Sequence, residues 1–251
     1  QIVALGPVAL LCVVGIVAAT MAAGVFAARR FGFDTAFGLL AGGSVAICGA
    51  SAAMALATTL GEKRTTQAQL TLVLVGISAM SASAMMLYPL VAHAFHMSDL
   101  KAGFLLGASI HDVAQALGAG YSYSDGAGAI AAIVKLTRVA LLAPVLAVVA
   151  MGLARWGGGG EGHAKGPGVP WFVVGFFVLA GINSFGVIPA VVATGAERIA
   201  AAMLAAAVTA TAIRSPLSQL LEAGPKPLLV ILASTLVAFG LALVAALVLI
   251  G

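Results

Sequence analysis

His111 and Asp112 are adjacent residues inside an otherwise apolar run, FLLGASIHDVAQALGAG at 104 to 120. An imidazole titrates near neutral pH, and a carboxylate in an apolar setting can hold or release a proton. An ionisable residue within a membrane-spanning stretch marks a functional site by default. Asp112 is therefore expected to carry a coupling proton or ion. His111 is expected to share that role or to meet a substrate. The plainer reading is a pair that only ties two helices together. Gln115 lies one turn beyond His111 and can donate to a ligand. Lys135 and Arg138 stand three residues apart, so they share one helix face, about a turn or more inside their segment. They could bind a substrate anion, for which the planar guanidinium fork suits sulfate or sulfonate oxygens. They could equally compensate the charge of Asp112 or snorkel to the interface.

A second polar centre echoes the first. GGSVAICGASAA (42 to 53) aligns with LGASIHDVAQAL (106 to 117), placing Ile47 on Ile110, Cys48 on His111, Gly49 on Asp112 and Ala52 on Gln115. Glycines lower helix propensity by about 1 kcal/mol each, and serines can satisfy backbone groups freed by a break. The pattern predicts two discontinuous helices, whose half-helix N-termini would attract an anion. Meeting at mid-membrane, they would form a site between two repeats. Ser44, Cys48, Gly49, Ser51 and Ser109 join His111, Gln115 and Arg138 as candidate substrate contacts. The competing reading is tight packing between continuous helices.

These elements need a membrane around them. Charged residues are 8% of the chain and hydrophobic residues 62%, whereas a soluble domain carries about a quarter charged residues. The fold class expected is an all-α polytopic membrane protein with an inverted-repeat transporter fold. Charges and turns divide the chain into eight apolar segments: 2–28, 35–60, 64–99, 101–125, 125–155, 171–196, 199–213 and 227–250. Residues 1–251 read as one membrane transport domain, with a first helix group at 1–155 and a second at 171–251. Between them WGGGGEGHAKGPGVP (156–170) reads as a cytoplasmic Gly/Pro-rich linker. Asn183-Ser184 could unwind the sixth segment or hydrogen-bond across helices, and the seventh is short for a span. Seven Lys and Arg residues, Arg29, Arg30, Lys101, Arg155, Lys165, Arg214 and Lys226, follow odd-numbered segments, against Lys63, Arg64 and Arg198 elsewhere. The first set is expected on the cytoplasmic side of a cell inner membrane.

Other signals point away from other functions. The net charge of +4 is scattered over short loops without aromatic interleaving, so no nucleic-acid partner is expected. Cys12 and Cys48 lie in apolar segments and imply no disulfide framework. His93 and His96 are one turn apart near a segment end and read as interfacial, not as a metal site. There is no GxxxxGK[ST] for ATP, no GxSxG and no HExxH, so neither an enzyme nor a cofactor is expected. The partners expected are a small anionic substrate and membrane lipid, with a homodimer left open. The alternative function is a cation/proton antiporter using Asp112.

The sequence resembles the YeiH-type family, whose members carry a sulfate-exporter label. The resemblance rests on ICGASAA (47–53), GASIHDVAQALGAG (107–120), VKLTRVALLAPVL (134–146), PWF (170–172) followed by NSF (183–185), and AGPKPLL (223–229), in order and spacing. It implies a fold related to cation/proton antiporters and bile-acid/sodium symporters, with broken helices crossing near the membrane centre. It also implies export of sulfate or an organosulfonate, since related proteins are linked to organosulfonates. Family members carry roughly three further spans ahead of the point matching Gln1, so this chain is expected to lack an N-terminal part. The chain departs from the family at TATAIRSP (209–216), a stretch usually richer in glycine.

Overall fold

The computed structural model describes residues 6–156 and 224–250, with scattered positions between 175 and 206. The linker beyond Trp156, Asn183-Ser184 and TATAIRSP lie outside the described residues, as do most of the sixth and seventh segments. Every regular element described is an α-helix, consistent with a bilayer in which each backbone group must find a partner within the protein. The helices are α1 (Gly6–Arg30), α2 (Thr35–Ala46), α3 (Ala50–Leu60), α4 (Gln67–Ala94), α5 (Asp99–Ser109), α6 (Val113–Tyr123), α7 (Asp125–Ala140), α8 (Leu142–Trp156) and α9 (Lys226–Val248).

Four stretches are long and apolar enough to cross a membrane: Gly6–Arg30, Gln67–Ala94, Asp125–Leu153 and Lys226–Val248. At 1.5 Å per residue they reach roughly 35–43 Å, more than the ~30 Å hydrocarbon core. α4 starts on a capping box, in which Gln69 N donates to Thr66 Oγ1 and Thr66 N donates to Gln69 Oε1. α7 and α8 form one span interrupted at Leu141. Pro144 follows within the first turn of α8, where it lacks an amide proton and crowds the carbonyl one turn back.

The remaining two segments are broken, as the glycine and serine pattern predicts. α2 and α3 are separated by residues 47–49, and α5 and α6 by residues 110–112. The two breaks fall in the same register, with Ile47 and Ile110 each closing the first half-helix and Gly49 and Asp112 each opening the second. Asp34 and Ser98 cap the N-termini of α2 and α5.

Small residues bring these helices within reach of their neighbours. A Cβ on Gly24 of α1 would lie 2.5 Å from the Gly42 Cα of α2, and one on Gly107 of α5 would lie 2.6 Å from the Ala131 carbonyl oxygen of α7. Such contact substitutes for the hydrophobic drive that lipid does not supply. α7 packs on both α5 and α6, while α9 packs on α1, α2, α4 and α5. Leu40, Leu56, Val73, Leu146 and Val230 join α2, α3, α4, α8 and α9 in one buried core. Leu11, Phe26, Met86 and Leu236 lie exposed on the outer surface, where acyl chains would cover them.

Candidate functional site

The apolar face of α7 buries Ala127, Ala131 and Val134 together with Lys135 and Arg138. That spacing turns both cations inward against the breaks, and each is 0% exposed. Buried charge needs partners, and the ends of α2 and α5 supply them. The Lys135 ammonium donates to Ile47 O and Ile110 O, each at 2.8 Å, and to His111 O. Arg138 donates from Nε to Ala46 O (2.8 Å), from Nη2 to Val45 O (2.8 Å), and from Nη1 to Ile110 O (3.0 Å) and Gly107 O (3.2 Å). Near the end of α2, Gly43 O accepts from Ile47 N and Ser44 O from Gly49 N. The next three carbonyls, Val45, Ala46 and Ile47, all go to the two cations. Helix C-termini carry about half a negative charge each, so the two ends offset about half of the charge of the two cations and leave the junction positive.

The second half-helices open on the other side of this junction. Gly49 takes φ +70°, which a side chain rarely adopts, and a Cβ there would stand 3.8 Å from the His111 carbonyl carbon and 3.9 Å from Asp112 backbone atoms. Glycine thus suits the turn, while the approach of the two breaks leaves ordinary contact distance around it. Gly49, Ala50, His111, Asp112 and Gln115 line a cavity of about 50 Å³ with Ile77, Ser78 and Ser81 of α4. At about 10–15 Å³ per water, that is room for roughly 3–5 waters. The two N-termini differ. α6 carries its own anion, because Asp112 Oδ1 accepts from Gln115 N at 3.0 Å. α3 has Gly49 at the equivalent position and no side-chain cap.

His111 is fully buried. Its Nε2 lies 3.0 Å from Thr235 Oγ1 of α9, and that hydroxyl donates to Ile231 O at 2.9 Å. The hydroxyl thus sits between Ile231 O and the imidazole, and the direction of the Nε2 contact is set by the ring tautomer. Nδ1 is buried and has no hydrogen-bond partner among the described residues. The Gln115 Oε1 position is likewise buried and unpartnered among them.

The structure therefore gathers Gly49, His111, Asp112 and Gln115 around one cavity, with Lys135 and Arg138 behind it on the carbonyl side. Ser44 and Ser109 do not face it: their hydroxyls donate back to Leu40 O (2.5 Å) and Leu105 O (2.6 Å). Cys48 and Ser51 hydrogen-bond each other at 3.0 Å. His93 stacks on Tyr123 with ring centroids 4.2 Å apart. Sequence reasoning missed Ser78, Ser81 and Thr235. Ser81 Oγ accepts from Asp112 N at 3.0 Å, holding the second break against α4. Hydroxyls at i and i+3 in α4, and the Ser234-Thr235 pair in an aliphatic α9, were the available signals.

Together these features define a helical membrane protein organised around two broken helices that meet at a polar junction. The model of the family described as conserved hypothetical protein 698 matches residues 1–231. The chain belongs to that family, the UPF0324 membrane proteins. It is 41% identical over 240 residues to the UPF0324 membrane protein TauZ of Paracoccus pantotrophus, covering 94% of this chain and 70% of that protein. A UPF0324 membrane protein of Rhizobium meliloti is 37% identical over 94% of this chain and 68% of its own length. One of Chlorobaculum tepidum is 35% identical over 94% of this chain and 66% of its own. No solved structure matches.

Proposed function

We propose that this chain forms the core of a secondary transporter for a small oxyanion of the sulfate or organosulfonate class, coupled to a proton and working by alternating access. The observation that carries the reading is the uncapped N-terminus of α3 opening on the cavity. A half-helix N-terminus aimed at an anionic substrate group is a recurrent feature of transporter sites, and here the facing half-helix already holds a carboxylate. The two breaks, in one register, suit an inverted-repeat architecture. Lys135 and Arg138 give the junction positive charge without occupying the cavity. The cavity accommodates one tetrahedral head group and little more.

His111 and Asp112 are the proton carriers in this reading. A proton taken up by His111 would add a donor to a ring that lines the cavity, where the anion would stabilise it. Asp112, Lys135 and Arg138 are the charged groups nearest His111. Proton and anion would then bind together, more tightly as pH falls.

The test is thermal stabilisation of the purified chain in detergent by sulfate, thiosulfate, taurine and chloride at several pH values. A bound ligand raises apparent stability by mass action. Selective stabilisation by one oxyanion class, lost in Ala50→Asp, supports the reading. Ala50 opens α3 and lines the cavity, so a carboxylate there would take the anion's place. No oxyanion response at any pH, with stabilisation by sodium that Asp112→Asn abolishes, would replace it with the cation/proton antiporter.

A further inference from the structure

Converging half-helix C-termini are where transporters with broken helices commonly hold coupling cations, through freed backbone carbonyls. In this chain that place is occupied by protein. Ile47 O, Ile110 O and His111 O converge on the Lys135 ammonium, and Val45 O, Ala46 O, Gly107 O and Ile110 O receive the Arg138 guanidinium. The six carbonyls come from the two half-helix ends at both breaks. Both cations are 0% exposed and come from α7, a helix held close to α5 through Gly107. The acceptors sit at hydrogen-bonding distance from a nitrogen that carries one positive charge, as an alkali cation does. Carbonyl oxygens are also the ligands that replace such an ion's hydration shell; these three would supply part of it, and water entering the space of the removed side chain would supply the rest.

We propose that Lys135 is a built-in substitute for an alkali cation, so that the junction assembles without sodium or potassium, and that removing its side chain uncovers a monovalent-cation site formed by Ile47 O, Ile110 O and His111 O. Arg138 remains in place beside that site and holds the two ends together. The inference stands whether or not the cavity takes an oxyanion, and its test contains no oxyanion other than buffer.

The experiment compares thermal midpoints in detergent while sodium or potassium replaces choline at constant chloride and constant ionic strength, for the wild-type chain, Lys135→Ala and Lys135→Arg. The wild type and Lys135→Arg are expected to show no difference between choline and either alkali cation. Lys135→Ala is expected to melt lower in choline and to recover by several degrees with a saturable dependence on sodium or potassium. Saturable stabilisation of the wild type by either ion overturns the proposal, and this arm decides even if Lys135→Ala cannot be purified. A folded Lys135→Ala indifferent to both ions also overturns it. Loss of the oxyanion response described above, with the cation results as expected, would refute the transport reading and leave this one intact.

Discussion

Replacing Lys135 with Met keeps the unbranched stem out to the ε position and removes the charge and donors. Three carbonyls lose a partner, but Ile110 O keeps Arg138 Nη1 at 3.0 Å. Ile47 O and His111 O are left. An unsatisfied buried acceptor costs about 1–3 kcal/mol, so the loss is about 2–6 kcal/mol. Releasing the ammonium from its buried position offsets part of this, and breaking a buried charged contact from one side costs about 3–5 kcal/mol in measured cases. The two routes overlap. At about 2–4 °C per kcal/mol for a chain of this size, the thermal midpoint of Lys135→Met should fall by roughly 5–20 °C. Arg138→Met leaves Val45 O, Ala46 O and Gly107 O, because Lys135 still serves Ile110 O. It should therefore fall further than Lys135→Met. The assay is a melting curve of each detergent-purified variant, with helicity checked by circular dichroism. A Lys135→Met midpoint within about 2 °C of wild type, or the reverse order of the two variants, would refute the carbonyl-clamp reasoning.

Further outcomes follow from other parts of the site. Gly49→Ala should lose about 1–3 kcal/mol from backbone strain at φ +70°, because the new methyl meets only ordinary contacts; the melting curve measures it. Thr235→Val removes the hydroxyl that His111 Nε2 contacts, and should change the pH profile of the oxyanion-induced shift, whereas Thr235→Ser should retain it. Gly24→Val should prevent a stable fold, since the first added carbon already sits 2.5 Å from backbone; size-exclusion profiles would report aggregation, and a monodisperse native peak would contradict the close packing.

The breaks were legible because they are local. Glycine, serine and a polar residue in sequence lower helix propensity over a few positions, and the register of Ile47 on Ile110 is a property of short windows. That Lys135 and Arg138 share one helix face was readable from their i, i+3 spacing, but not which way that face points. Their partners were not, because a backbone carbonyl leaves no letter in a sequence. The chain allowed three roles for these cations, and only the folded geometry shows seven donated bonds reaching helix ends. Ser81 and Thr235 escaped for another reason. They meet Asp112 and His111 across sequence separations of 31 and 124 residues, and hydroxyls in apolar helices more often bond back to their own turn, as Ser44 and Ser109 do.

The clamp made by α7 has a mechanical consequence. Its two side chains grip the ends of α2 and α5 at once, and Ile110 O is held by both. A scissoring motion of one broken helix past the other would have to break charge-assisted bonds donated by two fully buried side chains. The stiff directions of the molecule are therefore those that separate the breaks. The soft ones keep those bonds and move α2, α5 and α7 together, so the two breaks would shift as one wall of the cavity against its α4 wall of Ile77, Ser78 and Ser81.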